Sequence, residues 1–106
     1  MRKLTLTLHK QGKTAEELVI NKDLVVTVRA FVDICTDYKV VEILTISSVI
    51  SIIFSSYNRN EDITNIIDID ARNIINFILD ESEGCQTYEL HSNDTNEIDF
   101  HTKIRS

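Results

Sequence analysis

Apolar and polar residues alternate from Lys3 to His9: Leu4, Leu6 and Leu8 on one side, Lys3, Thr5, Thr7 and His9 on the other. A period of two predicts a strand with one buried face. The segment KQGK around Gly12 reads as a turn. A second strand over Glu16–Ile20 places Leu18 and Ile20 together. Pairing Leu4 with Ile20 and Leu6 with Leu18 unites the apolar faces, so an N-terminal β-hairpin is expected.

Residues 23–37 fit two patterns. As a strand, Val26, Val28, Ala30, Val32 and Ile34 face one way; as a helix capped by Asn21 or Asp23, Leu24, Val28, Phe31, Val32 and Cys35 form a stripe. β-branched residues dominate the first half, which favours the strand. A helix here would make the chain resemble a β-grasp adaptor. Val40–Ile46 reads as a buried strand. Residues 47–57 continue either as a helix, with Val49, Ile50, Ile53, Phe54 and Tyr57 at helical spacing, or as a second central strand joined at Ser47–Ser48. The fifteen uncharged residues from Ile43 to Tyr57 include five serines. They fall short of the roughly 20 apolar residues a membrane-spanning helix needs.

NRNEDITN reads as polar loop, and IIDID as a short strand or the lead-in to a helix. Asp70 is expected to N-cap a helix over ARNIINFILDES, with Ile74, Ile75, Ile78 and Leu79 on one face and Gly84 stopping it. The acids Asp80, Glu81 and Glu83 then oppose the helix macrodipole. Residues 86–91 and 97–104 are expected to form a second hairpin around Ser92–Asn96. His91 would pair with Glu97, Glu89 with Asp99 and Thr87 with His101. Tyr88, Leu90, Ile98, Phe100 and Ile104 would share the core face. The expected fold is α+β, a single domain over residues 1–106: an antiparallel sheet with N- and C-terminal hairpins packed against one or two helices.

Composition narrows the chemistry. Among 106 residues there is no proline, and the only glycines are Gly12 and Gly84. Phosphate-cradling loops and nucleophile elbows need glycine, so those classes are disfavoured. No H-E-x-x-H, G-x-S-x-G or Walker pattern occurs. Cys35 and Cys85 have no metal-site or redox spacing, and the basic start MRKLTLTLHK lacks the continuous apolar run of a secretory signal. A cytoplasmic protein with reduced thiols is expected.

Charge is uneven. Residues 60–99 hold eleven acids against one base, Arg72, a net −10, while the remaining 66 residues carry +4. Such a field repels nucleic-acid phosphates and attracts basic proteins. The expected hairpin would line up Glu89, His91, Glu97, Asp99 and His101 on its outer face, a set that suits metal binding, proton transfer or plain solvation. Asp68 and Asp70 alternate in the manner of a divalent-ion pair, although the capping role of Asp70 is simpler. No residue is assigned a catalytic role, a cofactor or a metal.

The profile, short, acidic and without catalytic signature, is similar to that of small bacterial toxin-immunity proteins. No motif carries the likeness, so no residue role comes with it. A basic nuclease holds phosphates, and an inhibitor that covers it presents acids. The expected partner is therefore a basic protein such as a toxin domain, met by Asp80, Glu81, Glu83, Glu89, Asp94, Glu97 and Asp99, with Tyr88 or Phe100 as aromatic anchors if exposed. The alternatives are a mobile-element inhibitor that mimics nucleic-acid charge and a small metal-dependent enzyme built on the histidine–carboxylate face.

Overall fold

Leu4, Leu6 and Leu8 are all fully buried, as their alternation requires. They belong to β1 (Arg2–Lys10), which pairs antiparallel with β2 (Glu16–Asn21) in the expected register, Leu4 opposite Ile20 and Leu6 opposite Leu18. The computed structural model describes residues 1–105. After a 3-10 turn at Lys22–Leu24 the chain continues through β3 (Val25–Val32), β4 (Lys39–Thr45), β5 (Ser48–Phe54), α1 (Glu61–Leu79), β6 (Gly84–Ser92) and β7 (Ile98–Ile104). One sheet has the order β2-β1-β6, the other β3-β4-β5-β7. Both, together with α1, enclose one core that includes Leu4, Leu6, Leu8, Val41, Ile43, Ile52, Phe54, Ile67, Ile74, Leu90 and Ile98. The fold class is α+β, as expected, with one helix.

Residues 25–32 form a strand, so the β-grasp reading, which needs a helix there, falls. Residues 48–54 are likewise strand, the second of the two patterns weighed for that run. Ile50, Ile52 and Phe54 are buried on one side of β5, which period two delivers and a helix would not.

Two expectations are overturned. The helix N-cap lies ten residues before Asp70. Asn60 is its N-cap and accepts from the Ile63 amide at 2.9 Å. Glu61 and Asp62 occupy the first turn, where the macrodipole favours acids. Ile67, Ala71, Ile74 and Ile78 make the buried stripe, while Leu79, expected on that face, ends the helix exposed. NRNEDITN is therefore partly helical, IIDID lies inside the helix, and Asp70 is a mid-helix residue. Gly84 opens β6 instead of closing the helix, which ends at Leu79 with Asp80 as C-cap.

The C-terminal hairpin does not form. β6 pairs in parallel with β1, Leu6 opposite Tyr88 and His9 opposite His91. β7 pairs antiparallel with β5, Ile52 opposite Phe100 and Ser51 opposite His101. Between them the chain closes a tight turn with a bridge from Asn93 to Asn96 and crosses from one sheet to the other. The reason lies in β1 and β5. Each is strongly apolar on its inner face and needs a neighbour on both sides to remove its backbone and side chains from water. Splitting the two C-terminal strands gives each of them that second neighbour.

Connections define two poles. The loops at 11–15, 33–38, 55–60 and 93–97 gather at one end. The N-terminus, the Lys22–Leu24 turn, the β4–β5 turn and the end of α1 gather at the other. Lys22, buried at the second pole, donates to the carbonyls of Phe77 and Asp80 and to Gln86 Oε1 at 2.9, 2.8 and 2.6 Å. A cation thus closes the C-terminal end of α1.

Candidate functional site

The seven acids expected to meet a partner fall into three places. Asp80, Glu81 and Glu83 lie at the C-terminal end of α1. Asp94, Glu97 and Asp99 lie at the opposite pole, about 28 Å away along a 19-residue helix. Glu89 stands on the outer face of the three-stranded sheet. The single acidic face is therefore replaced by an acidic pole around Glu97 and Asp99, while two acids at the end of α1 are engaged within the fold. Asp80 accepts from Ser82 and Gln86, which hold its carboxyl down to about 2, and Glu83 pairs with the N-terminal ammonium at 2.9 Å.

At the first pole, Val40 and Ile53 lie side by side on the outer face of the four-stranded sheet, with Asp99 next in the row. They floor a cleft of about 470 Å³ whose rim is Asp33, Thr36 and Tyr38 on one side and Ser55, Glu97, Asp99 and His101 on the other. Among the described residues no lysine or arginine lines it. Its walls are braced. Asp33 accepts from the Cys35 amide at 3.0 Å, and its own amide bonds the Tyr38 carbonyl. Asp37 holds a positive φ of 60° in the same turn. The Glu97 amide donates to buried Ser56 at 3.0 Å, and the Ser55 amide donates to the Glu97 carbonyl. Asp99 pairs with Lys10, which Glu16 also holds; bonds to both acids push its ammonium up. A second depression of about 230 Å³, lined by Lys10, Lys13, Asp94, Glu97 and Asp99 among others, shares the Glu97–Asp99 ridge.

The aromatic anchors differ from expectation. Tyr88 faces inward and is half-buried; it donates to Asp70 at 2.6 Å and accepts from Asn73 at 3.1 Å. Phe100 packs against the core. The exposed aromatic at the cleft is Tyr38, which no pattern in the sequence singled out.

The two histidines of the expected hairpin are on different faces. His91 stacks on His9 with ring centroids 4.9 Å apart, and His9 Nε2 lies 2.9 Å from Glu89. His101 is at the cleft on the other sheet. Among the described residues no three histidine, cysteine, aspartate or glutamate side chains converge to hold a metal ion. Asp68 accepts from Tyr57 at 2.9 Å and pairs with Lys39 at 3.2 Å, while Asp70 bonds Tyr88. These two aspartates do not share a ligand site. Cys35 and Cys85 are free, exposed and at opposite poles. Among the described residues no helix is long and apolar enough to cross a membrane.

Burial pushes the Asp70 carboxyl up, against the pull of the Tyr88 hydrogen bond and of His91. Burial first, then the Asp70 bond, pushes the Tyr88 hydroxyl up to about 12. A carboxyl raised by folding binds its proton more tightly in the fold than in the open chain. Its favourable contribution is fullest below the ordinary value of 3.8 and is lost as pH rises through the folded value. Asp70→Asn keeps an acceptor for Tyr88 without that charge. It is expected to raise the urea midpoint at pH 7, with the gain over the parent vanishing near pH 3. A lower midpoint at pH 7 would show that the charged hydrogen bond outweighs burial.

No family model matches the chain, no curated protein matches it in sequence, and no solved structure matches it.

Proposed function

We propose that this chain is a non-catalytic acidic binding protein that docks a basic protein through the pole around Glu97 and Asp99, and that its specific role is that of an immunity protein neutralising a basic nuclease-type toxin. One observation carries the reading: the 470 Å³ cleft joins three carboxylates to an apolar floor and an exposed tyrosine, with no lysine or arginine among the described residues that line it. That combination suits an arginine or lysine of a partner. The aliphatic stem rests on Val40 and Ile53, the charged head meets Asp33 and Glu97, and Tyr38 offers a ring for stacking. Asp94 and Asp99 extend the acidic field for steering.

The test begins with retention of host proteins on the immobilised chain at low salt, followed by titration of the purified binder. Glu97→Lys is expected to weaken binding by about 30-fold or more, since reversing a desolvated charge costs on the order of 2–5 kcal/mol. Glu81→Lys makes the same charge change at the opposite pole and is expected to change affinity less than about threefold, by screening. Equal losses in both variants would reduce the interaction to net charge. Restored growth of cells carrying the captured partner, on co-expression of the chain, then decides the immunity role.

A further inference from the structure

Four strands lie at sheet edges: β2 and β6 in one sheet, β3 and β7 in the other. An uncovered edge presents unpaired amides and carbonyls that template another strand, and proteins usually guard it with charge. β2 carries Glu16 and Glu17, β6 carries Glu89 and His91, and β7 carries Asp99, His101 and Lys103. β3, VVTVRAFV, has only Arg29. That residue is engaged with Glu42 at 3.0 Å and lies 4.6 Å over the Phe31 ring. Exposed apolar side chains gather on and beside β3: Leu24, Val26, Val32 and Ile34. Two depressions lie between this edge and α1: one of about 410 Å³ lined by Ala30, Ala71, Arg72 and Ile75 among others, and one of about 200 Å³ lined by Val28, Ile78, Leu79 and Glu81 among others.

We propose that β3 pairs antiparallel with the β3 of a second copy, joining two four-stranded sheets into one across a two-fold axis at Ala30. The inference is independent of the partner-binding pole. Unpaired backbone calls for an extended segment, and the side-chain order selects a second copy of the same strand. A register shift between Val25 and Thr27 ends the regular edge on one side and the turn at Asp33 ends it on the other. A two-fold axis between antiparallel strands must pass through a residue opposite itself. Centring on Arg29 sets two guanidinium groups face to face, which is unfavourable. Centring on Ala30 sets Val28 opposite Val32 and Arg29 opposite Phe31. Apolar meets apolar on the α1 side, and each arginine meets an aromatic ring on the other. The small Ala30 at the axis leaves room for the approach of the two helices.

Sedimentation equilibrium in reducing buffer, from about 1 to 500 µM, reads the result as a concentration-dependent mass. Reduction keeps the exposed Cys35 and Cys85 from cross-linking copies. The expected result is a rise to twice the 12.2 kDa of one chain. Ala30→Lys and Ala30→Glu each place like charges opposite one another at the axis. Each variant, with its circular dichroism unchanged, is expected to shift the midpoint of association at least about tenfold upward. Mixing the two variants in equal amounts restores the doubled mass. A parent chain that stays monomeric throughout overturns the proposal, as does a dimer unaffected by either charge or a mixture that stays monomeric.

Discussion

A Lys22→Met variant is expected to melt roughly 12–24 °C below the parent, equivalent to about 3 kcal/mol in a chain of this size. The ammonium group has three donors and uses all three on converging acceptors: two carbonyls in the last turn of α1 and the amide oxygen of Gln86. Methionine fills a similar volume and adds no polar group. What remains is three part-buried oxygens without their donor, each costing on the order of 1 kcal/mol. The loss extends further, because Gln86 also donates to Asp80 and Asp80 receives the Ser82 amide. This network joins the β2–β3 connection, the helix end and the start of β6. It also resolves the conflict of an acidic C-terminal turn, since the buried cation sits where the macrodipole is negative. Lys22→Arg keeps the charge but presents a planar fork to three acceptors arranged for a tetrahedral head, so only partial recovery is expected. Thermal unfolding followed by circular dichroism, with urea curves at 25 °C, checks the series. A loss below about 1 kcal/mol would mean that water replaces the ammonium group.

Lys22 also shows what one sequence hides. A lysine beside a turn reads as solvated, and nothing in its neighbours along the chain announces the helix end it caps. The same limit explains the C-terminal strands. Alternation at Tyr88, Leu90, Ile98 and Phe100 identified which side chains turn inward, and the structure keeps them there, whereas Ile104, expected on the same face, is exposed at the end of β7 beyond the core. Alternation does not name the neighbouring strand, and the short SNDTN loop favoured a hairpin on proximity alone. The N-terminal hairpin was legible because local proximity and apolar register agreed there. In α1, the isoleucines and aspartates of IIDID imitate period two, and β-branched residues lower helix propensity. The cap that started the helix, Asn60, stood ten residues upstream in a segment too polar to suggest one.

The candidate site was legible as charge and not as place. The acids of residues 60–99 are contiguous in sequence, yet α1 carries its two ends to opposite poles. Glu97 and Asp99 gain their setting from Asp33 and Tyr38, more than fifty residues earlier. Those two arrive at the cleft through the β3–β4 turn, which the apolar pattern of residues 23–37 hid by extending the strand or helix through Ile34 and Cys35. The outer-face pairing of Val40 with Ile53, which supplies the floor, followed only from the order of strands in the sheet.

Phe54→Ala is expected to destabilise the fold by about 4 kcal/mol, a large share of the roughly 5–15 kcal/mol available to a domain of this size. The ring is fully buried at the end of β5, between Lys39 of β4 and Ile98 of β7. Its removal forfeits apolar burial and leaves a cavity that strands on both sides cannot close without breaking register. Ile53, one residue earlier, points the other way, to the half-buried floor of the cleft. Ile53→Ala is therefore expected to cost only about 1–2 kcal/mol of stability, since the side chain is already partly in water. Its larger effect falls on the affinity for a basic partner, because the stem of the incoming side chain loses its apolar seat. Urea denaturation separates the two substitutions on stability, and titration against the captured partner separates them on binding. Phe54→Ala at its own reduced stability should bind normally while it remains folded, whereas Ile53→Ala should fold and bind weakly. If Ile53→Ala binds as tightly as the parent, the cleft floor does not seat the partner. The acidic pole would then act through steering alone, with its losses confined to the association rate.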